Sequence, residues 1–240
     1  MENLFSIIFI GVIGGLINLD TTVFAQVMVS RPIVVAPVTG YLLGSLLGCS
    51  QEGLSIGLVI GAFLELLWLN TLPVGACVPP NVCIASTVGV SLCLLIKGEM
   101  VVDINILIII MIIEAFILGF ICGRLDILWR DTINKKIARS IISYVNEGKL
   151  WGLELFNGIC ILVHFLLGCA LCIFSILILI YPTMALIGCL PEKVIRGLML
   201  ANSLLPLFGV SVAINMFFTK KSLSYLIIGF ILALICRFPN

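Results

Sequence analysis

Three long apolar stretches, Val101–Gly123, Leu155–Pro182 and Val194–Phe218, limit what this chain can fold into more than any other feature of its sequence. A helix of about 20 apolar residues crosses a hydrocarbon layer ~30 Å thick, and a helix that is apolar on every side has no use for water. The composition agrees. Of 240 residues 62% are hydrophobic and 10% charged, whereas soluble domains carry about 25% charged residues. A water-soluble globule is excluded on that balance. Shorter or interrupted apolar runs occupy Leu4–Asn18, Pro32–Cys49, Leu54–Leu69, Pro73–Ile96 and Ser222–Ile235, and Met184–Leu190 is a fragment between Pro182 and Pro191. The pattern predicts an all-α integral membrane protein with about six to eight transmembrane or re-entrant helical elements, some of them broken.

The first residues, Met1, Glu2 and Asn3, lack the positive start of a secretory signal, and the run that follows has no small-x-small cleavage site, so it reads as retained membrane structure. A net charge of +1 supplies no field for nucleic acid. Cys49, Cys93, Cys122, Cys160, Cys169, Cys172 and Cys236 lie within or at the ends of apolar runs, where cysteine acts as a small hydrophobe rather than as part of a disulfide framework. Gly40, Gly44 and Gly48, then Gly53, Gly57 and Gly61, recur at helical spacing and predict ridges along which two helix backbones pack closely.

The charges are clustered. Arg124, Arg130, Lys135, Lys136, Arg139 and Lys149 are six of the 13 Lys and Arg, so the stretch Arg124–Leu150 is placed on the cytoplasmic side. Within it Ile133, Ile137, Ile141 and Val145 recur every fourth residue, which predicts a cytoplasmic amphipathic helix lying on membrane lipid, or a docking face for a soluble partner. One membrane domain fills residues 1–240: a proposed substrate-site half over 1–123, the basic loop and interfacial helix over 124–152, and a C-terminal membrane half over 153–240.

Two polar islands carry the chemistry. Asp20, Thr21, Thr22, Gln26, Ser30 and Arg31 lie between apolar runs, and Arg31-Pro32 opens the next helix. Glu65, Trp68, Asn70 and Asn81 surround a break in which Pro73, Gly75, Pro79 and Pro80 forbid a continuous helix. Irregular backbone inside a membrane is tolerated only within protein or beside a wet cavity, where transporters bind hydrophilic solutes. Carboxylate and amide side chains hydrogen-bond sugar hydroxyls, and an indole offers an apolar ring face. Glu65, Asn70, Asn81, Asp20, Gln26, Arg31 and Trp68 are therefore the candidate substrate-binding residues. Two readings of Glu65 stand side by side: contact with substrate, or an ion pair with Arg31 that ties two helices together. Arg31 has an alternative of its own, as an anchor at headgroup level.

Glu114 and His164 read as interhelical hydrogen-bonding residues, and Lys193 and Arg196 as snorkelling anchors. Cys169-x-x-Cys172 has redox spacing but no activating charge, and a lone histidine builds neither a metal site nor a phosphohistidine relay. The chain has no Walker loop, His-Glu-x-x-His, Gly-x-Ser-x-Gly or glycine-rich dinucleotide turn, so no catalytic residue, metal or cofactor is assigned.

The stretches Leu19-Asp20, Ser30-Arg31-Pro32 through Gly40-Tyr-Leu-Leu-Gly44, Gly61-Ala-Phe-Leu-Glu65-Leu-Leu-Trp68, Pro73-Val-Gly-Ala76 and Val78-Pro-Pro80 resemble the IIC component of phosphotransferase systems of the mannose, fructose and sorbose class. All lie before Lys97; beyond it the resemblance is one of length, hydropathy and the basic central stretch. The resemblance implies a multi-pass permease subunit of the bacterial inner membrane. It would conduct a hexose-type sugar, pair with a IID membrane subunit in a trimer of IIC–IID pairs, and leave phosphate chemistry to soluble IIA and IIB carriers. On this resemblance Glu65 falls on the family's membrane glutamate, and Asp20 and Arg31 on its Leu-Asp and Arg-Pro elements. Asn81 departs from it, since aspartate often follows the proline pair in relatives. The alternative function is a transport-inactive membrane scaffold that recruits phosphocarriers.

Overall fold

The computed structural model of the chain describes residues 2–69, 71, 79–146, 151–217, 225, 228 and 229. Among them are seven α-helices and no strand: α1 (Glu2–Asn18), α2 (Pro32–Leu46), α3 (Ser50–Trp68), α4 (Val82–Glu99), α5 (Ile104–Asn146), α6 (Trp151–Gly188) and α7 (Glu192–Phe217), with a 3-10 turn at Leu19–Thr21. Six are long and apolar enough to cross a membrane, and α2 is shorter. At 1.5 Å per residue the 15 residues of α2 reach about 22 Å, less than the hydrocarbon thickness. The expected count of elements and the presence of a short, non-spanning helix are both observed. Of the span expected at Ser222–Ile235 only Tyr225, Ile228 and Gly229 are described, and Pro73, Gly75, Asn70, Lys149 and Cys236 lie outside the described residues.

Burial orders the helices. Of the window Val82–Glu99 78% is buried, and of Glu192–Val212 none, so α4 is the centre of the bundle and α7 its rim. The α4 sequence is suited to that position: its Ser86, Thr87 and Ser91 hydroxyls donate to carbonyls one turn back, leaving no unpaired polar group on its surface. Around it pack Ile10, Leu43, Ile60, Trp68, Leu107, Met111 and Ile176, each 1% exposed or less.

The glycine ridges do what their spacing predicts in α2 and α3, which form a tight antiparallel hairpin. A Cβ on Gly40 would lie 2.1 Å from the Gly53 carbonyl oxygen, and one on Gly57 would lie 2.4 Å from that of Ala36. Gly48 is the exception. Nothing lies within 4 Å of where its Cβ would be, and at φ +77° it forms the turn itself. Cys49 N–H reaches back to the Gly44 carbonyl at 2.7 Å, the closure that follows a helix ending in a left-handed glycine. Gly48 therefore belongs to the hairpin tip and not to the packing ridge.

Two boundaries differ from the hydropathy reading. The apolar run that ends at Pro182 continues as one helix to Gly188, since a membrane helix can lose one backbone hydrogen bond where neighbours cover the gap. The basic segment expected as a separate interfacial helix is helical, but as an unbroken extension of α5. Its 43 residues reach about 65 Å, twice the hydrocarbon thickness. Nothing between Gly119 and Asn146 breaks the helix, and Gly123, the one glycine there, serves close approach, since a Cβ on it would lie 3.1 Å from the Asn81 nitrogen and the Pro80 Cα. The side chains of Ile133, Ile137 and Val145 lie outside the described residues.

Cys169 and Cys172 are likewise explained by packing. A Cβ on Gly15 would meet the Cys169 sulfur at 2.4 Å, and one on Gly14 the Cys172 sulfur at 2.6 Å. The redox-like spacing is a helical i, i+3 pair of small residues set against a glycine face of α1.

Candidate functional site

The chain between α1 and α2 is held by one carboxylate. Asp20 Oδ1 accepts from Val27 N–H at 2.7 Å, and its Oδ2 accepts from Ser30 N–H at 2.9 Å. Within the segment so closed, Ala25, Gln26 and Met28 all have φ between 53° and 66°, a conformation that L residues adopt at a cost. The two Asp20 bonds offset that cost and set the position of Arg31. Gln26 is exposed and donates to the Thr22 carbonyl at 3.0 Å, so it stabilises the segment locally.

Arg31 stands at the open end of the α2–α3 hairpin, opposite Glu65. Its Nε donates to Glu65 Oε1 at 2.8 Å, and Nη2 donates to the same oxygen. The other carboxylate oxygen lies 3.5 Å from Ile33 N–H, in the first turn of α2. Pro32 has no N–H and Arg31 makes no side-chain cap, so Glu65 supplies from α3 the negative charge that the α2 N-terminus lacks. Of the two sequence readings of Glu65, the ion pair between helices is the one observed.

Asn81 is 6% exposed and uses both ends of its amide. Oδ1 caps α4 by accepting from Ile84 N–H at 3.1 Å, and Nδ2 donates to Asn18 Oδ1 at 3.0 Å. Its own N–H bonds the Gly119 carbonyl at 2.9 Å, which docks the proline-rich break against α5. Trp68 is 1% exposed, stacked on Phe116 with ring centroids 5.9 Å apart, and covered by Gly119; here the indole packs helices and presents no free face.

These elements enclose an open cleft of about 330 Å³. The first island contributes Thr21, Thr22, Ser30 and Arg31, the break contributes Thr71 and Pro79 through Val82, and α5 contributes Gly123, Asp126 and Arg130. Of the seven candidates, Arg31 and Asn81 line it. Glu65 lies behind Arg31 and Asp20 behind Ser30, both in supporting positions, while Gln26 and Trp68 lie away from it. A second polar cavity of similar volume lies at the hairpin tip beside Cys49, Glu52, Lys97 and Glu99, where Lys97 is paired with Glu52. The two cavities sit at opposite ends of one hairpin.

Three residues of the site were missed in the sequence. Asn18 is buried at 2% exposure and anchors Asn81. Its signal was an amide at the end of an apolar run, two residues before the first island. Asp126 and Arg130 were absorbed into the basic stretch, although one turn of spacing between opposite charges at a membrane boundary was visible.

Residues 4–240 match the family described as the PTS system sorbose-specific iic component. The chain belongs to this family. As a sorbose-type IIC protein it is a multi-pass membrane permease component of the phosphotransferase system, a transport subunit. It is 24% identical over 203 residues to the fructose permease IIC component of Bacillus subtilis (strain 168), spanning 85% of this chain and 69% of that one. It is 37% identical over 59 residues to the putative N-acetylgalactosamine permease IIC component 2 of Escherichia coli (strain K12), 25% of this chain and 38% of the relative. A solved structure described as a membrane protein shares the fold, with a TM-score of 0.65 at 19% identity, covering 99% of this chain and 87% of the other. Glu114 of this IIC chain accepts from the Thr183 hydroxyl of α6 at 2.8 Å, the interhelical bond its surroundings predicted. His164 Nδ1, in contrast, lies 3.3 Å from the Cys160 carbonyl one turn back in its own helix, and its Nε2 has no partner among the described residues, so the interhelical bond expected of it is not seen.

Proposed function

We propose that this chain moves a hexose-type sugar across the bacterial inner membrane for phosphorylation by a IIB carrier, and that the cleft between Arg31, Asn81 and α5 is a sugar-binding station on that path. The observation that carries the proposal is that the two polar islands, separated by a whole hairpin in sequence, meet at one cleft whose walls offer hydroxyls, an amide, a guanidinium and a carboxylate. That is the donor and acceptor set that polyols need. The α5 extension that leaves the bundle from this cleft is basic, and basic segments stay inside. The cleft thus opens to the cytoplasm, where the sugar is handed to IIB, and the cavity at Glu52 and Lys97 lies toward the outside. Transport follows the α2–α3 hairpin from one polar cavity to the other, with a IID subunit covering the exposed faces of α1, α6 and α7 in a trimer of IIC–IID pairs.

The sugar is one of the class named for relatives: sorbose, fructose, N-acetylgalactosamine or a related hexose. The test is uptake of a radiolabelled panel of these four kinds by cells that express the chain with its IIA, IIB and IID partners. Phosphoenolpyruvate-dependent accumulation of a sugar phosphate is expected, with loss in Arg31→Ala. Carrier binding to membranes that take up none of the panel would favour the scaffold reading and end this one.

A further inference from the structure

Asp126 and Arg130 sit where α5 passes from its apolar part to its basic extension, one turn apart on the face turned to the cleft. Asp126 is 4% exposed, and its Oδ2 accepts from Arg130 Nη2. Its Oδ1 is buried and has no partner among the described residues, and neither has Arg130 Nε. A helix-stabilising surface pair leaves its spare atoms to water. Here a carboxylate acceptor and a guanidinium donor are withdrawn from water beside each other at the wall of a cavity, a cost that persists only if something takes up their hydrogen bonds.

A sugar hydroxyl both donates and accepts, so one hydroxyl satisfies both atoms, donating to Asp126 Oδ1 and accepting from Arg130 Nε. A phosphate group does not: it accepts from Arg130 but meets the Asp126 carboxylate as a like charge. Across the cleft two nitrogens of Arg31 are engaged by Glu65, the Asn81 amide is committed to Asn18 and the α4 cap, and the Thr21 and Thr71 hydroxyls donate to the Asn18 and Trp68 carbonyls. Of the residues that line the cleft, only Asp126 and Arg130 hold a buried side-chain atom without a partner among the described residues.

We propose that Asp126 and Arg130 form the specificity wall of the cleft, reading one hydroxyl of the neutral sugar and disfavouring the phosphorylated product. This rests on the sugar-station reading above. It assigns to α5 a recognition role that neither polar island contains, and it explains why the pair lies at the cleft and not further along the exposed part of the same helix, where Asp131 and Lys135 are also paired one turn apart but 60% and 66% exposed.

The experiment compares the sugar taken up best in the panel with its monodeoxy analogues, in cells carrying the full set of partners, for the wild type, Asp126→Asn, Asp126→Ala and Arg130→Gln. In the wild type, removing the hydroxyl that is read costs about tenfold in uptake efficiency, one hydrogen bond to a charged group. In Asp126→Ala the parent sugar loses about the same factor while that analogue loses little, so the preference at that position disappears. Asp126→Asn, which keeps the shape and an acceptor oxygen, guards against misfolding and retains part of the preference; inhibition by the sugar phosphate becomes stronger in it. A purely structural helix pair lowers every sugar equally and leaves the deoxy ratios at wild-type values, which would overturn the proposal while uptake itself persists. Absence of uptake by the wild type across the panel overturns the sugar-station reading and this inference with it.

Discussion

Replacing Glu65 by Ala removes a carboxylate 15% exposed from a guanidinium 31% exposed, along with the charge facing the α2 N-terminus. Hydrogen bonds to charged groups contribute about 1.5–3 kcal/mol, and fully exposed ion pairs about 0.2–1 kcal/mol. The partial exposure of this pair sets the expectation near ~1.5–2 kcal/mol, about tenfold to thirtyfold in uptake efficiency. Since Glu65 acts by holding Arg31, the two residues form a unit. Arg31→Ala in a Glu65→Ala background then costs little more than either change alone, with a coupling of about 1.5 kcal/mol in the double-mutant cycle. Glu65→Gln keeps one acceptor oxygen for Arg31 Nε and falls between the wild type and Glu65→Ala. The assay is initial uptake rate against sugar concentration in cells with matched membrane levels of each variant. If the single losses add to within about 0.5 kcal/mol, the residues act independently and the supporting role of Glu65 is refuted.

The other expectations follow from packing and capping. Gly40→Val drives a side chain into the Gly53 carbonyl and should abolish extractable, monodisperse protein, whereas Gly98→Ala, with nothing within 4 Å, should leave the melting temperature in detergent unchanged; equal behaviour would contradict the hairpin geometry. Asn81→Asp retains the α4 cap, and Asn18 can turn its amide to donate, so melting and uptake should stay close to wild type. The Asn18→Asp, Asn81→Asp pair sets two buried carboxylates face to face and should lower melting sharply; a harmless double change would mean that the two side chains do not meet. Trp68→Phe keeps the stack on Phe116 and discards an unpartnered Nε1, so sugar affinity should hold; a large loss in KM with stability intact would return Trp68 to the binding surface.

The departure at Asn81 gains a physical meaning from its partners. An aspartate there could not donate to Asn18 Oδ1, so the acid at this position of the chain would need the Asn18 amide in its other orientation. The exchange preserves a cap and a helix contact, and it alters the support of the cleft more than its charge lining.

Hydropathy and charge placement were sufficient to establish from the sequence alone that the chain is a helical membrane protein, because lipid cannot satisfy backbone polar groups and leaves a helix as the only form for these apolar runs. The glycine ridges also signalled close helix packing in α2 and α3, since close backbone approach requires the absence of a side chain at regular spacing, but that the two ridges face each other in one hairpin was decided by the structure. What each polar residue does was decided by tertiary structure. Glu65 and Arg31 are 34 positions apart, Asn18 and Asn81 63, and no local pattern states that the first pair closes a hairpin while the second supports a cap. Asp126 and Arg130 were legible as a helical pair but not as a cleft wall, because the same spacing at Asp131 and Lys135 produces an exposed surface pair. Only the approach of the Pro79–Asn81 segment to Gly123 turns one pair inward and leaves the other in water.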